Sequence, residues 1–305
     1  MGKIISMSKN TAPQAFFKKD KHNSSIYHPT LNARGPWDPN SLHGRVIAGL
    51  IAHEVEINYL TRDDFQDMQI TRMTVDLLRL APMAPLIIQS NIARSGRRIQ
   101  VIDVQINTNH KEKGILEIAR GSVILLKKSE EPIGSVWSTP VWNIDAPDEN
   151  METPDLVEQR LPMWHTINIG STTGPLPILG SKISADNSKD VNATTENQQR
   201  KIGPRRAWIR ETHAFIENEI ISPILRVAQV ADFANPFVNS GTNGLNYINT
   251  DISLYLHRNP VGSWIGTETF YHGADDGISI ATIALYDKIG KIGTSTVCGL
   301  AQVRS

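Results

Sequence analysis

The chain of 305 residues is poor in cysteine, in excess charge and in long apolar runs. Its single cysteine, Cys298, rules out an intrachain disulfide and any cysteine-based zinc or iron–sulfur site. Lys and Arg number 31 and so do Asp and Glu, which leaves no surplus of positive charge. Polyanion binding draws on such a surplus, so no nucleic-acid partner is expected. No stretch approaches the ~18 consecutive apolar residues of a membrane span, so no stable membrane insertion is expected. The first residues, MGKIISMSKN, lack the apolar stretch and small-residue cleavage site of a secretory signal, and the final QVRS carries no retention tag. A cytoplasmic location follows as the expectation. Gly2 and Ser6 fit a myristoylation pattern, but Met7 offers a second start and one such chain holds a membrane only marginally.

Several catalytic signatures are missing as well. There is no G-x-S-x-G nucleophile elbow, no Gly-rich dinucleotide fingerprint and no P-loop, so no cofactor is expected. There is no H-E-x-x-H, and the nine histidines are scattered, which argues against a catalytic metal. His272 and Asp276 stand at H-x-x-x-D spacing, but within HGADDG they read as turn chemistry.

What the chain does have is the composition of a globular protein long enough for about two domains. Residues 1–25 are polar and read as a flexible arm. Gly35-Pro36 and Asp38-Pro39 disfavour helix, and Ser41 then offers an N-cap. A helix over about 42–58 follows, carrying Val46, Ile47, Leu50, Ile51 and Val55 with little polar face, as a buried helix would. Strand-like runs come next at 70–82, 86–94, 101–107 and 117–126, joined by short turns that favour antiparallel pairing. Residues 131–162, rich in Pro and acids and holding Trp137 and Trp142, read as a connector against an apolar surface. Residues 181–203 read as a polar surface insertion. The second half repeats the pattern: a strand at 207–216, an apolar helix at 222–232 opened by Ser222-Pro223, and strands at 248–257, 263–271, 278–286 and 292–303. Two units of this size mean a duplicated domain. The fold class is α+β, with each unit an antiparallel sheet curled round one apolar helix.

Particular strings carry a family resemblance. HPTLNARGPWDPNSLHGRVIAGLIAHEVE (28–56), ITRMTVDLLRLAPMAPL (70–86) and the Arg-x-Gly-Arg turn at 94–97 resemble the first unit of thioesterase-like proteins related to acyl-CoA thioesterase II. SPILRVAQVADFANPF (222–237) and YINTDISLYLHRNPVGSW (247–264) resemble the second. The resemblance implies a double hotdog: an N-terminal unit at 26–130, a connector at 131–162 and a C-terminal unit at 163–305. It also implies hydrolysis of acyl-CoA and assembly as a homo-oligomer, a dimer or larger. Two alternatives stand beside hydrolysis: a non-hydrolytic acyl-CoA or lipid-binding protein, and a hotdog enoyl-CoA hydratase.

Asp232 is the first catalytic candidate. It stands at the C-terminal end of an apolar helix, where the helix dipole disfavours negative charge. The matching family aspartate activates water, a general-base role; taken alone, Asp232 also fits a surface turn before Phe233-Ala234-Asn235-Pro236. The resemblance next points to Asn249, where the family has Thr or Ser two residues before the strand aspartate (here Asp251), with Thr250 adjacent. His43 and Gly44 resemble a His-Gly turn whose backbone N–H polarises the thioester carbonyl; a capping role for His43 is the other reading. Glu54 and Glu56 read as a solvated helix end, with Glu54 the one that could face a pocket. Arg45, Arg79, Arg97, Arg98 and Arg258 could meet CoA phosphates or serve packing. One family residue is absent: the glutamine after Ser295-Thr296-Val297 is replaced by Cys298. Gln302 lies four residues on, roughly 13 Å along a strand.

Overall fold

The computed structural model describes residues 14–138, 141–142, 145–151, 163–166, 173–175, 204–241 and 244–302. Gly2 and the insertion read at 181–203 lie outside them. The strands are β1 (Ala15–Lys19), β2 (Ile26–Pro29), β3 (Met68–Leu77), β4 (Leu86–Ser95), β5 (Ile99–His110), β6 (Gly114–Lys127), β7 (Met163–Thr166), β8 (Thr173–Pro175), β9 (Arg206–Arg210) and β10 (Ala214–Ile216), followed by β11 (Ser240–Gly241), β12 (Gly244–Leu245), β13 (Tyr247–Asn249), β14 (Asp251–Leu256), β15 (Trp264–Asp275), β16 (Ile278–Asp287) and β17 (Gly290–Ala301). The α-helices are α1 (Gly44–Val55), α2 (Pro223–Ala231) and α3 (Ala234–Asn239).

The two halves share one strand plan. In the first, β3 pairs with β6, β6 with β5, and β5 with β4; in the second, β14 pairs with β17, β17 with β16, and β16 with β15. Each run of four strands thus folds its first strand against its last. The expectation of two separate sheets is corrected at the centre. There β3 and β14 pair antiparallel, with Thr74 opposite Ser253 and Arg72 opposite Tyr255, and the halves become one sheet. Backbone N–H and C=O groups on two facing strand edges are satisfied by pairing, so fusing them leaves no open edge there.

The sheet also curls. The β9 side and β10 lie at opposite ends of its strand order, yet only residues 211–213 separate these two strands in sequence. The helices pack inside: α1 against β3–β6, α2 against β14, β15 and β17, and α1 against α2. Every residue of α1 from Arg45 to Val55 is buried, which the nearly unbroken apolar circumference anticipated. Burying Val46, Ile47, Leu50, Ile51 and Val55 contributes roughly 1.5–3 kcal/mol each. The sheet admits the helix closely: a Cβ on Gly121 of β6 would come within 2.8 Å of the Ile51 side chain.

Three local expectations are also corrected. Part of the supposed arm is β1, which pairs antiparallel with β2 and parallel with β10. Its Phe16 and Phe17 are buried in the core, and the surrounding polar residues hid this two-residue apolar signal. The single strand at 207–216 is two, β9 and β10, broken at Glu211–His213. Within 131–162, Trp142 packs with Trp208, Trp264 and Tyr286 in a second, smaller core, whereas Trp137 is exposed.

Candidate active site

The two helices run antiparallel, so the start of α1 meets the end of α2. His43 caps α1, its Nδ1 facing the amide of Arg45 at 3.3 Å. Asp232 is the C-cap of α2 and is buried, at 3% exposure. Its Oδ2 lies 3.1 Å from Nδ1 of His43, and its Oδ1 accepts a hydrogen bond of 2.9 Å from Nδ2 of Asn249. Gly44, the first residue of α1, lies against the same carboxylate: a Cβ there would stand 2.9 Å from Oδ1 and 3.1 Å from Oδ2. Four of the five residues singled out from sequence therefore meet at one point. The expected clash of Asp232 with its own helix dipole is offset by the partial positive charge at the start of α1, an effect of about 0.3–1 kcal/mol, larger where buried.

His43 Nδ1 has one in-plane position, and two neighbours compete for it: the Arg45 amide, which would donate to a bare Nδ1, and the Asp232 carboxylate, which would accept from an Nδ1–H. The tautomer decides which bond forms, cap or carboxylate contact, and only the Nδ1–H form holds Asp232. Because a carboxylate only accepts, Asn249 must turn its NH2 toward Asp232.

Thr250 does not join them. Its Oγ1 donates to the carbonyl of Cys298 at 3.4 Å, and the residue is largely exposed. Side chains alternate across an extended strand, so with Asn249 facing Asp232 its neighbour faces away. The same alternation disposes of Cys298. Ser295, Val297 and Gly299 face inward on β17, while Cys298 is exposed on the other side. Burial pushes its thiol up, as does the neighbouring Asp251 carboxylate, to which the Cys298 amide donates at 2.6 Å. Gln302 is exposed just past the end of β17, where its backbone N–H donates to the Asn246 carbonyl, so it does not stand in the family glutamine's place.

Glu54 is not solvated. It is buried and accepts from Ser90 Oγ at 2.7 Å, which in turn accepts from Tyr59 Oη at 3.0 Å. Arg45 is buried against Glu211, and Arg258 binds Asp287, so neither guanidinium is left for a phosphate. Sequence reasoning missed Asn235 and Asn239. Asn235 Nδ2 donates to Asn249 Oδ1 at 3.2 Å, and Asn239 Nδ2 donates to Asn235 Oδ1 at 2.9 Å. The available signal was their spacing of four on one helix face.

A curled sheet holding apolar helices, with a buried carboxylate where two helices meet, is the architecture of a hotdog-type protein. Comparison makes the class specific. The family of acyl-CoA thioesterase N-terminal domains matches residues 33–126, and that of acyl-CoA thioesterase C-terminal domains matches residues 180–297. Together these cover more than half of the chain, and the protein belongs to the acyl-CoA thioesterase family. Among solved structures it is similar to the acyl-CoA thioesterase II TesB2 from Mycobacterium marinum, at 12% identity over 94% of this chain and 96% of that one, with a TM-score of 0.57. It is also similar to a tesB protein of Mycobacterium avium subsp. paratuberculosis, at 11% identity over 93% and 96%, TM-score 0.57. A hot dog fold protein of unknown function from Alicyclobacillus acidocaldarius is similar too, at 12% identity over 95% and 96%, TM-score 0.58. At these identities the likeness establishes the hotdog fold. No curated protein matches the sequence.

Proposed function

We propose that the protein hydrolyses acyl-CoA to the free acid and CoA, with Asp232 activating water. One observation carries this reading: a buried carboxylate, an imidazole, a side-chain amide and a helix start converge on one point. Each has a use in thioester hydrolysis. Asp232 takes a proton from water as the water oxygen attacks the thioester carbonyl. His43 and Asn249 hold its two oxygens. The Gly44 amide, first in α1, has no acceptor within its own helix and can donate to the oxyanion that forms on the carbonyl. Collapse of the tetrahedral species then expels the CoA thiolate, which leaves readily because a thiol ionises near pH ~8.5.

The reading includes the organisation expected from sequence: hotdog units at 26–130 and 163–305 with a connector between them, assembled as a homo-oligomer in the cytoplasm. A panel of acyl-CoA substrates with thiol detection tests the activity. Wild type is expected to release CoA and Asp232→Asn to lose nearly all of that rate; equal rates would overturn the role of Asp232. A non-hydrolytic acyl-CoA-binding role is the second reading. It is favoured by Cys298, which stands where the family has glutamine and faces away from Asp232. Binding by calorimetry with no thiol released over hours would establish it instead.

A further inference from the structure

Asp232 is the end of a directed chain of three amides. Asn235 and Asn239, at 2% and 7% exposure, lie on the same face of α3. Their orientations follow from the carboxylate. Asp232 can only accept, so Asn249 presents its NH2 to it and turns its own oxygen away. That oxygen needs a donor, and Asn235 Nδ2 supplies it at 3.2 Å while also donating to the Tyr247 carbonyl at 3.0 Å. The Asn235 oxygen in turn accepts from Asn239 Nδ2 at 2.9 Å. The chain ends at the buried Asn239 Oδ1, which has no partner among the described residues. An apolar side chain at 235 would leave both the Asn249 oxygen and the Tyr247 carbonyl without this donor, so the residue has a polar task beyond filling space.

We infer that Asn235 is a positioning residue: it locks the Asn249 amide so that NH2, and never the carbonyl oxygen, faces Asp232. The Asn249 NH2 also donates to the Asp251 carbonyl at 3.3 Å, so its nitrogen side is held by two acceptors and its oxygen by Asn235 alone. Without Asn235 that oxygen loses its donor and the amide is freer to swing away from Asp232. Asn239 fixes Asn235 in the same way, one link further off. The inference rests on the proposed hydrolysis for its kinetic consequence but not for its geometry.

The test uses the full-length protein and two independent readouts. In solution NMR, the side-chain NH2 of Asn249 is expected to be protected from hydrogen exchange in wild type and to lose that protection in Asn235→Leu. This readout does not depend on activity, so it decides the positioning role even if no acyl-CoA is hydrolysed. In kinetics, Asn235→Leu is expected to lower kcat about tenfold and leave KM within about twofold, since one hydrogen bond's worth of alignment is lost from the reacting group. In an Asn249→Ala background the same substitution should change kcat less than about twofold, because its effect passes through Asn249. Asn239→Leu, which leaves Asn235 tied to Tyr247, should show a smaller fall of about threefold and covers the case in which Asn235→Leu does not fold. Unchanged protection of the Asn249 NH2, or a full tenfold loss repeated in the double variant, would overturn the assignment. Loss of the kinetic effect together with an inactive wild type would instead overturn the hydrolysis reading alone.

Discussion

The antiparallel helix pair has two ends built to one plan and finished with different chemistry. At one end the C-cap of α2, Asp232, touches the N-cap of α1, His43. At the other, Glu56, the C-cap of α1, accepts a hydrogen bond of 2.8 Å from Ser222, the N-cap of α2. The first residue beyond the cap then separates them. At the Asp232 end it is Gly44, with a free amide and no side chain. At the Glu56 end it is Pro223, which has no N–H and covers the position with a ring. The Ser222 hydroxyl also accepts the Leu225 amide, so that cap is satisfied internally. Two halves built on one strand plan therefore supply two candidate poles, and a few residues suit one of them to the proposed chemistry and the other to a clasp.

The largest effect should come from exchanging the two carboxylates for amides in turn. Asp232→Asn is expected to lower kcat by about 10²–10⁴, the range for loss of a general base. Glu56→Gln should leave kcat within about twofold. A comparable loss from both, measured by thiol release, would mean that the poles do not differ in function.

The ion pairs beside the poles should differ nearly as strongly. Arg45 and Glu211 are both buried, whereas His53 at the other end meets Glu219 at 2.9 Å with the Glu219 side chain 42% exposed. Burial pushes the Glu211 carboxyl up, but the adjacent Arg45 guanidinium and the bonds from His213 outweigh it, and the net shift is downward. A carboxyl lower in the folded than in the unfolded state stabilises the fold above its unfolded value, and that stability is lost as pH falls through the folded value. Wild type should therefore lose stability below roughly pH 4. Glu211→Gln, which leaves Arg45 buried without its counter-charge, should cost about 3–5 kcal/mol near neutral pH. Glu219→Gln should cost less than about 1 kcal/mol. Chemical denaturation of the two variants measures the contrast, and equal costs would remove it.

Gly44 tests the pole from the backbone side. A methyl group at 44 would stand 2.9 Å from Asp232 Oδ1, so Gly44→Ala must displace the carboxylate. Displacements near 1 Å can cost about a hundredfold in rate, and a fall of that order in kcat is expected. Pro223→Ala at the other pole should leave kcat unchanged. If Gly44→Ala turns over as wild type does, the start of α1 is not part of the reacting geometry.

Much of this was legible in the sequence, and the remainder fails for identifiable reasons. The apolar circumference of α1 announced its burial, and the matching order of elements announced the strand plan that the two halves share. Asp232, Asn249, His43 and Gly44 could each be named, but not their meeting, which depends on how two helices far apart in sequence pack. Thr250 falls at the bend between β13 and β14, and its turn toward the Cys298 carbonyl depends on a strand pairing that the sequence does not display. Glu54 looked solvated because its partner Ser90 comes from β4, far off in sequence, and Tyr59, which donates to Ser90, comes from the π-helix Glu56–Leu60 that continues α1. The fusion of β3 with β14 left no sequence mark, since an edge strand and a central strand can carry the same alternation.

The smallest effect sharpens the comparison from the clasp side. Burial pushes the Glu56 carboxyl above its usual range, with Glu219 adding to the rise, while the Ser222 hydroxyl and His53 pull the other way. A carboxyl raised in the folded state has the opposite sign from Glu211: its contribution is complete below the unfolded value and is lost as pH rises through the folded one. Wild type should therefore lose a little stability on going from about pH 5 toward neutrality, a window in which Glu211 stays ionised and contributes no slope. Glu56→Gln keeps an oxygen for Ser222 and has nothing to ionise, so it should escape that loss. Its Tm should match wild type near pH 5 and exceed it slightly near pH 7, by less than about 1 kcal/mol in stability because the site is partly open to solvent. Thermal unfolding of both proteins across that window reads the difference directly. A gap that stays constant with pH would show that Glu56 ionises in the fold without penalty, and burial would then not distinguish the clasp in this respect.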